Sequence, residues 1–264
     1  NGHSNTGAGY AALSANTSGT RNVSMGYASL DANTSGSQNN AIGYDALTTN
    51  TTGANNVALG AFTLRYNTTA NNNVAIGYNA MEANTTGTQN VAVGFAALDT
   101  QTTGSNNVGV GHNVLTNNTT AYNLVGIGAE ALRDNTTGIG NTAVGEACLR
   151  ACTTGGTNTA IGNNAGLDLT TGSNNLLLGF NAGRSTSPSG AITTASNEIC
   201  LGDNSITGIF CADTTISSSD KRDKTDITNF THGLDWINQM QPVTYRWDRR
   251  SWYLDDPDGD ITSV

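Results

Sequence analysis

The residues best suited to chemistry crowd into one short stretch near the C-terminal end. Thr215 to Lys224 reads TISSSDKRDK and holds both lysines of the chain, Lys221 and Lys224, beside Ser217, Ser218 and Ser219. A serine hydroxyl is a weak nucleophile and needs a base within about 3 Å. A lysine amine serves as that base only where burial or a neighbouring cation lowers its pKa. Asp220 and Asp223 oppose a neutral lysine there, whereas Arg222 favours one. The bland reading of the same run is a solvated charged turn.

Other constellations are thin. The cysteines (Cys148, Cys152, Cys200, Cys211) form no CxxC, and His3, His112 and His232 do not add a zinc-ligand spacing, so neither a metal nor a cofactor is expected. Cys148 and Cys152 fall in neighbouring turns, where they pair or stay free as small buried fillers. The DDPDGD run (Asp255 to Asp260) lacks the later bidentate glutamate of a calcium loop and reads as a surface turn. The acids Asp31, Asp45, Glu82, Asp99 and Glu130 are scattered, with no evident pair for glycan hydrolysis. A net charge of −9 disfavours nucleic acid. No run of about 18 apolar residues is present, so no membrane insertion is expected. The chain opens in mid-pattern without a methionine and reads as a fragment.

What must position the C-terminal stretch is a long periodic array. Glycines recur every 17 residues from Gly9 through Gly26, Gly43 and Gly94 to Gly179, eleven in all. A second series runs in step from Gly19 to Gly172, with Ala70 and Ala121 filling its two gaps. The consensus is N-V-A-[IVL]-G-Y-x-A-L-x-x-N-T-T-G-x-x. Apolar residues two apart, such as Val91 and Val93, predict a short strand that buries them on one face. The Ala-Leu pair, as in Ala97-Leu98, predicts a second short strand. Asn-Thr-Thr-Gly predicts a turn whose asparagine bonds its own backbone and whose glycine takes positive φ. Each 17-residue rung should therefore hold two strands and two turns, and stacked rungs make a parallel β-roll or β-solenoid.

Asparagine stands four residues before the first glycine in ten of eleven rungs, among them Asn22, Asn56 and Asn90. Stacked amides predict a structural ladder rather than a ligand site. Triplets such as Asn84-Thr85-Thr86 match a glycosylation acceptor formally but are better explained by the repeated turn. The residue after the first glycine is aromatic in six rungs (Tyr10, Tyr27, Tyr44, Tyr78, Phe95, Phe180). That stripe is expected to pack against a neighbouring chain, with stacking on sugar rings as the alternative. The Thr-Thr pairs leave an ice-binding surface conceivable.

Three regions follow. Residues 1–183 form the repeat array, and 184–216 an insertion loop with Pro188 and an extended neck, because the glycine spacing widens to 23 before Gly202. Residues 217–264 hold all three tryptophans and read as the start of a small α+β module. In it, HGLDWINQM predicts a helix ended by Pro242, and VTYRW a strand.

The NVAIG element resembles the head repeats of trimeric autotransporter adhesins, which implies a mainly β, trimeric parallel roll. The run ISSSDKRDKTDI, the helix and QPVTYRW resemble the start of the C-terminal intramolecular chaperone of endosialidase family, through Ser219, Asp220, Arg222 and Lys224. That resemblance implies a module that trimerises three chains and then releases itself. It implies Ser219 as nucleophile, Lys224 as its base, Asp220 and Arg222 in support, and a scissile bond between Ser218 and Ser219. Five residues apart on an extended strand, the dyad would be about 16 Å apart and on opposite faces. A turn must therefore join them, or the lysine must come from another copy.

The expectation is a phage tail-fibre or tail-spike fragment in the virion: a homotrimer whose array is a shaft or head for a host receptor or glycan. Its only enzymatic act would be a single serine self-cleavage. The alternative is the head of a bacterial surface adhesin without proteolysis.

Overall fold

In the computed structural model, residues 2–208 are described. They form one parallel sheet of twelve three-residue strands. In chain order these are β1 (Thr6–Ala8), β2 (Val23–Met25), β3 (Asn40–Ile42), β4 (Val57–Leu59), β5 (Val74–Ile76), β6 (Val91–Val93), β7 (Val108–Val110), β8 (Val125–Ile127), β9 (Thr142–Val144), β10 (Thr159–Ile161), β11 (Leu176–Leu178) and β12 (Ile199–Leu201). Each strand pairs in register with the next, so Val91 lies over Val74 and under Val108. The result is the expected parallel β-solenoid, and no helix occurs among the described residues.

The second strand of each rung is not formed. The Ala-Leu half alternates between right- and left-handed backbone, with φ near +49° at Ala96 and +54° at Leu98. Left-handed geometry costs an ordinary residue about 1–2 kcal/mol. What offsets it is inter-rung bonding and burial. Ala96 N–H donates to Tyr78 C=O of the rung before, and Leu98 N–H to Val114 C=O of the rung after. Leu98 itself is fully buried.

The direction of the strand face is also the reverse of the expected one. The central residue of each strand points inward: Ala41, Ala58, Ala75 and Ala92 are fully buried. The flanking apolar residues point outward, with Ile42 at 42% and Ile161 at 46% exposed. The interior is thin, and the leucines arriving from the other half fill it, leaving room only for a small residue opposite; where that half carries Gly166 instead of a leucine, the facing strand centre is the fully buried Leu177. One rung shows this compensation directly. Val114 stands where its neighbours carry Ala97 and Ala131, and the facing strand positions shrink to Gly109 and Gly126. A Cβ on Gly126 would approach Val114 Cγ2 to 2.8 Å.

The two glycine columns have different causes. Gly94 has φ +138°, and a Cβ there would meet the Gly111 carbonyl oxygen at 2.2 Å. Gly87 does not take positive φ, contrary to the turn expectation. It is glycine for space alone, since its Cβ would lie 2.2 Å from the Gly104 carbonyl oxygen.

The stretch after Gly179, expected to be loop and neck, rejoins the solenoid. The added residues bulge out between Arg184 and Ile192. Thr170 N–H then donates to Thr193 C=O, and β12 pairs with β11 as a twelfth rung.

Candidate functional site

Two parts of the molecule are candidates for function: the solenoid's surface and interior columns, and the C-terminal segment. The asparagine columns come first because they hold the rungs in register. Asn90 shows the pattern. Its backbone N–H donates to Asn73 Oδ1 at 3.0 Å and its Nδ2 to Gly104 C=O at 2.9 Å. The asparagine of the Asn-Thr-Thr-Gly turn makes a second ladder, with Asn67 Nδ2 donating to Asn50 Oδ1 at 2.8 Å. Both columns are buried, which supports the structural reading. It also argues against Asn84 and its equivalents as glycan acceptors, since Asn84 has no exposed surface.

The second ladder has faults. Gln101 interrupts it, leaving Gln101 Nε2 and Asn84 Oδ1 without partners. Cys152 replaces the next asparagine after Asn135, whose side-chain nitrogen and oxygen are both buried and unpaired.

The cysteines of the described region are free and buried. Burial pushes the Cys148 thiol up to about 12 and that of Cys152 to about 11. Both are inert fillers. At Cys200 burial acts upward too, but donors from Ser189, Ser187 and Gly183 N–H outweigh it and hold the thiol below its ordinary range.

The array's acids mostly pair with arginines on neighbouring rungs. Arg65 bridges Asp45 and Glu82 at 3.3 Å each, and Arg150 reaches Glu130 at 3.1 Å. Asp31 accepts a hydrogen bond from Ser14 Oγ. Asp99 sits beside Glu82 without a cation, and burial followed by that like charge raises its pKa. Among the described residues no group of three or more His, Cys, Asp or Glu could hold a metal ion. No helix there is long and apolar enough to cross a membrane.

On the surface, the aromatic column is longer than the sequence stripe. Phe62, one residue out of phase, and His112 extend it to a run of seven rings from Tyr10 to His112. Tyr10 and Tyr27 stack at 5.1 Å and 14°, and Tyr78 and Phe95 at 5.6 Å and 9°. Phe62 was missed because its ring reaches the column from the neighbouring position, which periodicity does not reveal. Apart from the half-buried Phe62 the rings are substantially exposed, Phe95 at 50%. Beside them lies the mostly apolar outer face of the sheet, described above.

The residues expected to carry chemistry, Ser218, Ser219, Asp220, Arg222 and Lys224, lie outside the described residues. So do Cys211, the predicted helix and strand, and the DDPDGD turn. A family model described as chaperone of endosialidase matches residues 219–262. The match starts at Ser219 and spans Asp220, Arg222 and Lys224, and Ser218 directly precedes it. No curated protein and no solved structure matches the chain. A parallel β-solenoid of repeats followed by a chaperone-of-endosialidase segment fits a protein of tail-fibre or tail-spike type.

Proposed function

We propose that this chain is part of a phage tail fibre or tail spike, assembled as a homotrimer and displayed on the virion for host attachment. The solenoid serves as a rigid shaft or head. The segment from Ser219 onward serves as an intramolecular chaperone that frees itself by one cleavage. The single observation that carries the reading is the family match at residues 219–262, which follows the solenoid repeats in the sequence.

The chemistry assigns one role to each residue. Lys224 Nζ takes the proton of Ser219 Oγ, and that oxygen attacks the Ser218 carbonyl carbon. The C–N bond breaks, the amide nitrogen gains a proton as the new α-amine of Ser219, and an ester to Ser219 Oγ remains. Water hydrolyses the ester to a Ser218 carboxylate and a free hydroxyl. Arg222 favours the neutral lysine, and Asp220 supports the turn that brings the pair together. A fibre built from non-local contacts nucleates slowly. A terminal module that registers the copies addresses that problem, and its loss then traps the assembled product.

The test is intact mass under denaturing conditions for the chain and for its Ser219→Ala and Lys224→Ala variants. Fragments split between Ser218 and Ser219 in the parent alone are expected. An intact parent chain would remove the self-cleavage and leave a chaperone without peptidase activity.

A further inference from the structure

The outer face of the sheet is a mostly apolar strip, interrupted by Thr6, Asn40, Thr142 and Thr159, on a surface otherwise rich in threonine and asparagine. None of the twelve strands, from TGA at β1 to ICL at β12, carries a charged residue. Met25 is 45% exposed, Ile127 41% and Ile199 70%. Eleven inter-strand steps of about 4.8 Å make the strip roughly 50 Å long, and about four residues of extended chain make it roughly 13 Å wide. That gives roughly 650 Å², above the patch most monomers leave to water and near the ~800 Å² one partner brings to a stable interface.

The aromatic column on its border does not suit a sugar. A glycan stacks on a free ring face, but these faces are largely taken by the neighbouring rings, 5.1 Å away from Tyr27 on either side. Their edges and phenol hydroxyls are what remain. The opposite border is an exposed column of amides, including Gln38, Asn55, Asn72, Gln89 and Asn106.

We infer that this strip is the contact between copies of the chain, packed side by side and parallel about a shared axis. The inference rests on the homotrimer reading above and names the surface that reading needs. The two unlike borders set the orientation. Rotation about an axis along the solenoid lays each copy's ring column beside the next copy's amide column. Rotation about an axis across the solenoid would lay rings beside rings. Only the parallel arrangement gives the hydroxyls of Tyr27, Tyr44 and Tyr78 amide partners on burial, which a covered phenol needs. It also sends every chain out of the assembly at the same end, after β12.

The test uses the full chain and its Ile42→Lys/Ile127→Lys variant, both positions being exposed in a single copy. Sedimentation at micromolar concentration is expected to give a multimer for the parent. The variant should show at least a tenfold fall in multimer fraction with unchanged circular dichroism. A variant as multimeric as its parent would overturn the strip as the contact while leaving the homotrimer reading to another surface. A monomeric parent would overturn both. Orientation is read from Gln89→Cys/Phe95→Cys, oxidised beside the parent and each single variant. Covalent multimers in the double variant alone are expected. Cross-linking by Phe95→Cys alone, or none in the double variant, would overturn the parallel seam.

Discussion

The two halves of a rung stack with the same inter-rung hydrogen-bonding economy but solve opposite problems. In the strand half, Val91 to Val93 is extended, its small central Ala92 faces in and its large residues face out. In the Ala-Leu half, the backbone alternates in handedness and the large residue, Leu98, faces in. The difference teaches where the core comes from. Interior volume is supplied by the half with the unfavourable backbone, and the half with ideal β geometry supplies the surface. The chain accepts left-handed leucines because all but Leu13 of the end rung are fully enclosed and each N–H still finds a carbonyl on an adjacent rung.

Truncating one large residue in each half should break that comparison most sharply. Leu98→Ala is expected to destabilise its rungs by about 2–5 kcal/mol through the cavity it leaves. Ile127→Ala in the unassembled chain should cost less than about 1 kcal/mol, because its side chain is 41% exposed there. Amide hydrogen exchange resolved by rung measures both. Similar losses at the two sites would mean that the outer face already carries load within one copy.

The glycine columns give the next largest contrast. Gly94→Ala meets both positive φ and a carbonyl oxygen, and about 3 kcal/mol of destabilisation is expected. Gly87→Ala meets crowding alone, in a column where Ala70 and Ala121 already stand, and about 1 kcal/mol should suffice. Thermal midpoints of the two variants should fall in that order.

Smaller changes sharpen the picture in the stabilising direction. Cys152→Asn offers Asn135 Oδ1 the amide donor it lacks, and a gain of about 1 kcal/mol is expected by denaturant titration. Asp99→Asn should add on the order of 0.5 kcal/mol, and only at neutral pH. The folded-state pKa of Asp99 is raised by burial and then by Glu82, so its carboxyl is best tolerated when protonated. The stability it allows below the ordinary carboxylate range is lost as pH rises through the raised value. Parent and variant stabilities should therefore converge in acid and separate above that range.

Much of the fold was legible because stacked identical residues enforce a constant period. The in-phase glycines, the asparagine ladder and the parallel stack all follow from one 17-residue repeat. The candidate chemistry was legible in a different way, as the Ser219 to Lys224 run that coincides with the start of the family match. Phe62 was hidden because its ring reaches the column from one residue out of phase, whereas His112 holds the in-phase position after Gly111 and its imidazole extends the stack all the same. The twelfth rung was hidden by the inserted residues, which disturb the spacing but leave the register of β12 intact.

By itself, then, the amino-acid order determined the repeat, its turns and the strand at its centre. Only the tertiary structure decided which side of that strand is inside. Alternation in Val-Ala-Val defines two faces without saying which is buried, and hydrophobicity alone points to the valines. The leucines of the other half occupy that space, so the face compatible with the interior is the one carrying the small central residue, and a large one, Leu177, enters only where Gly166 vacates the leucine column.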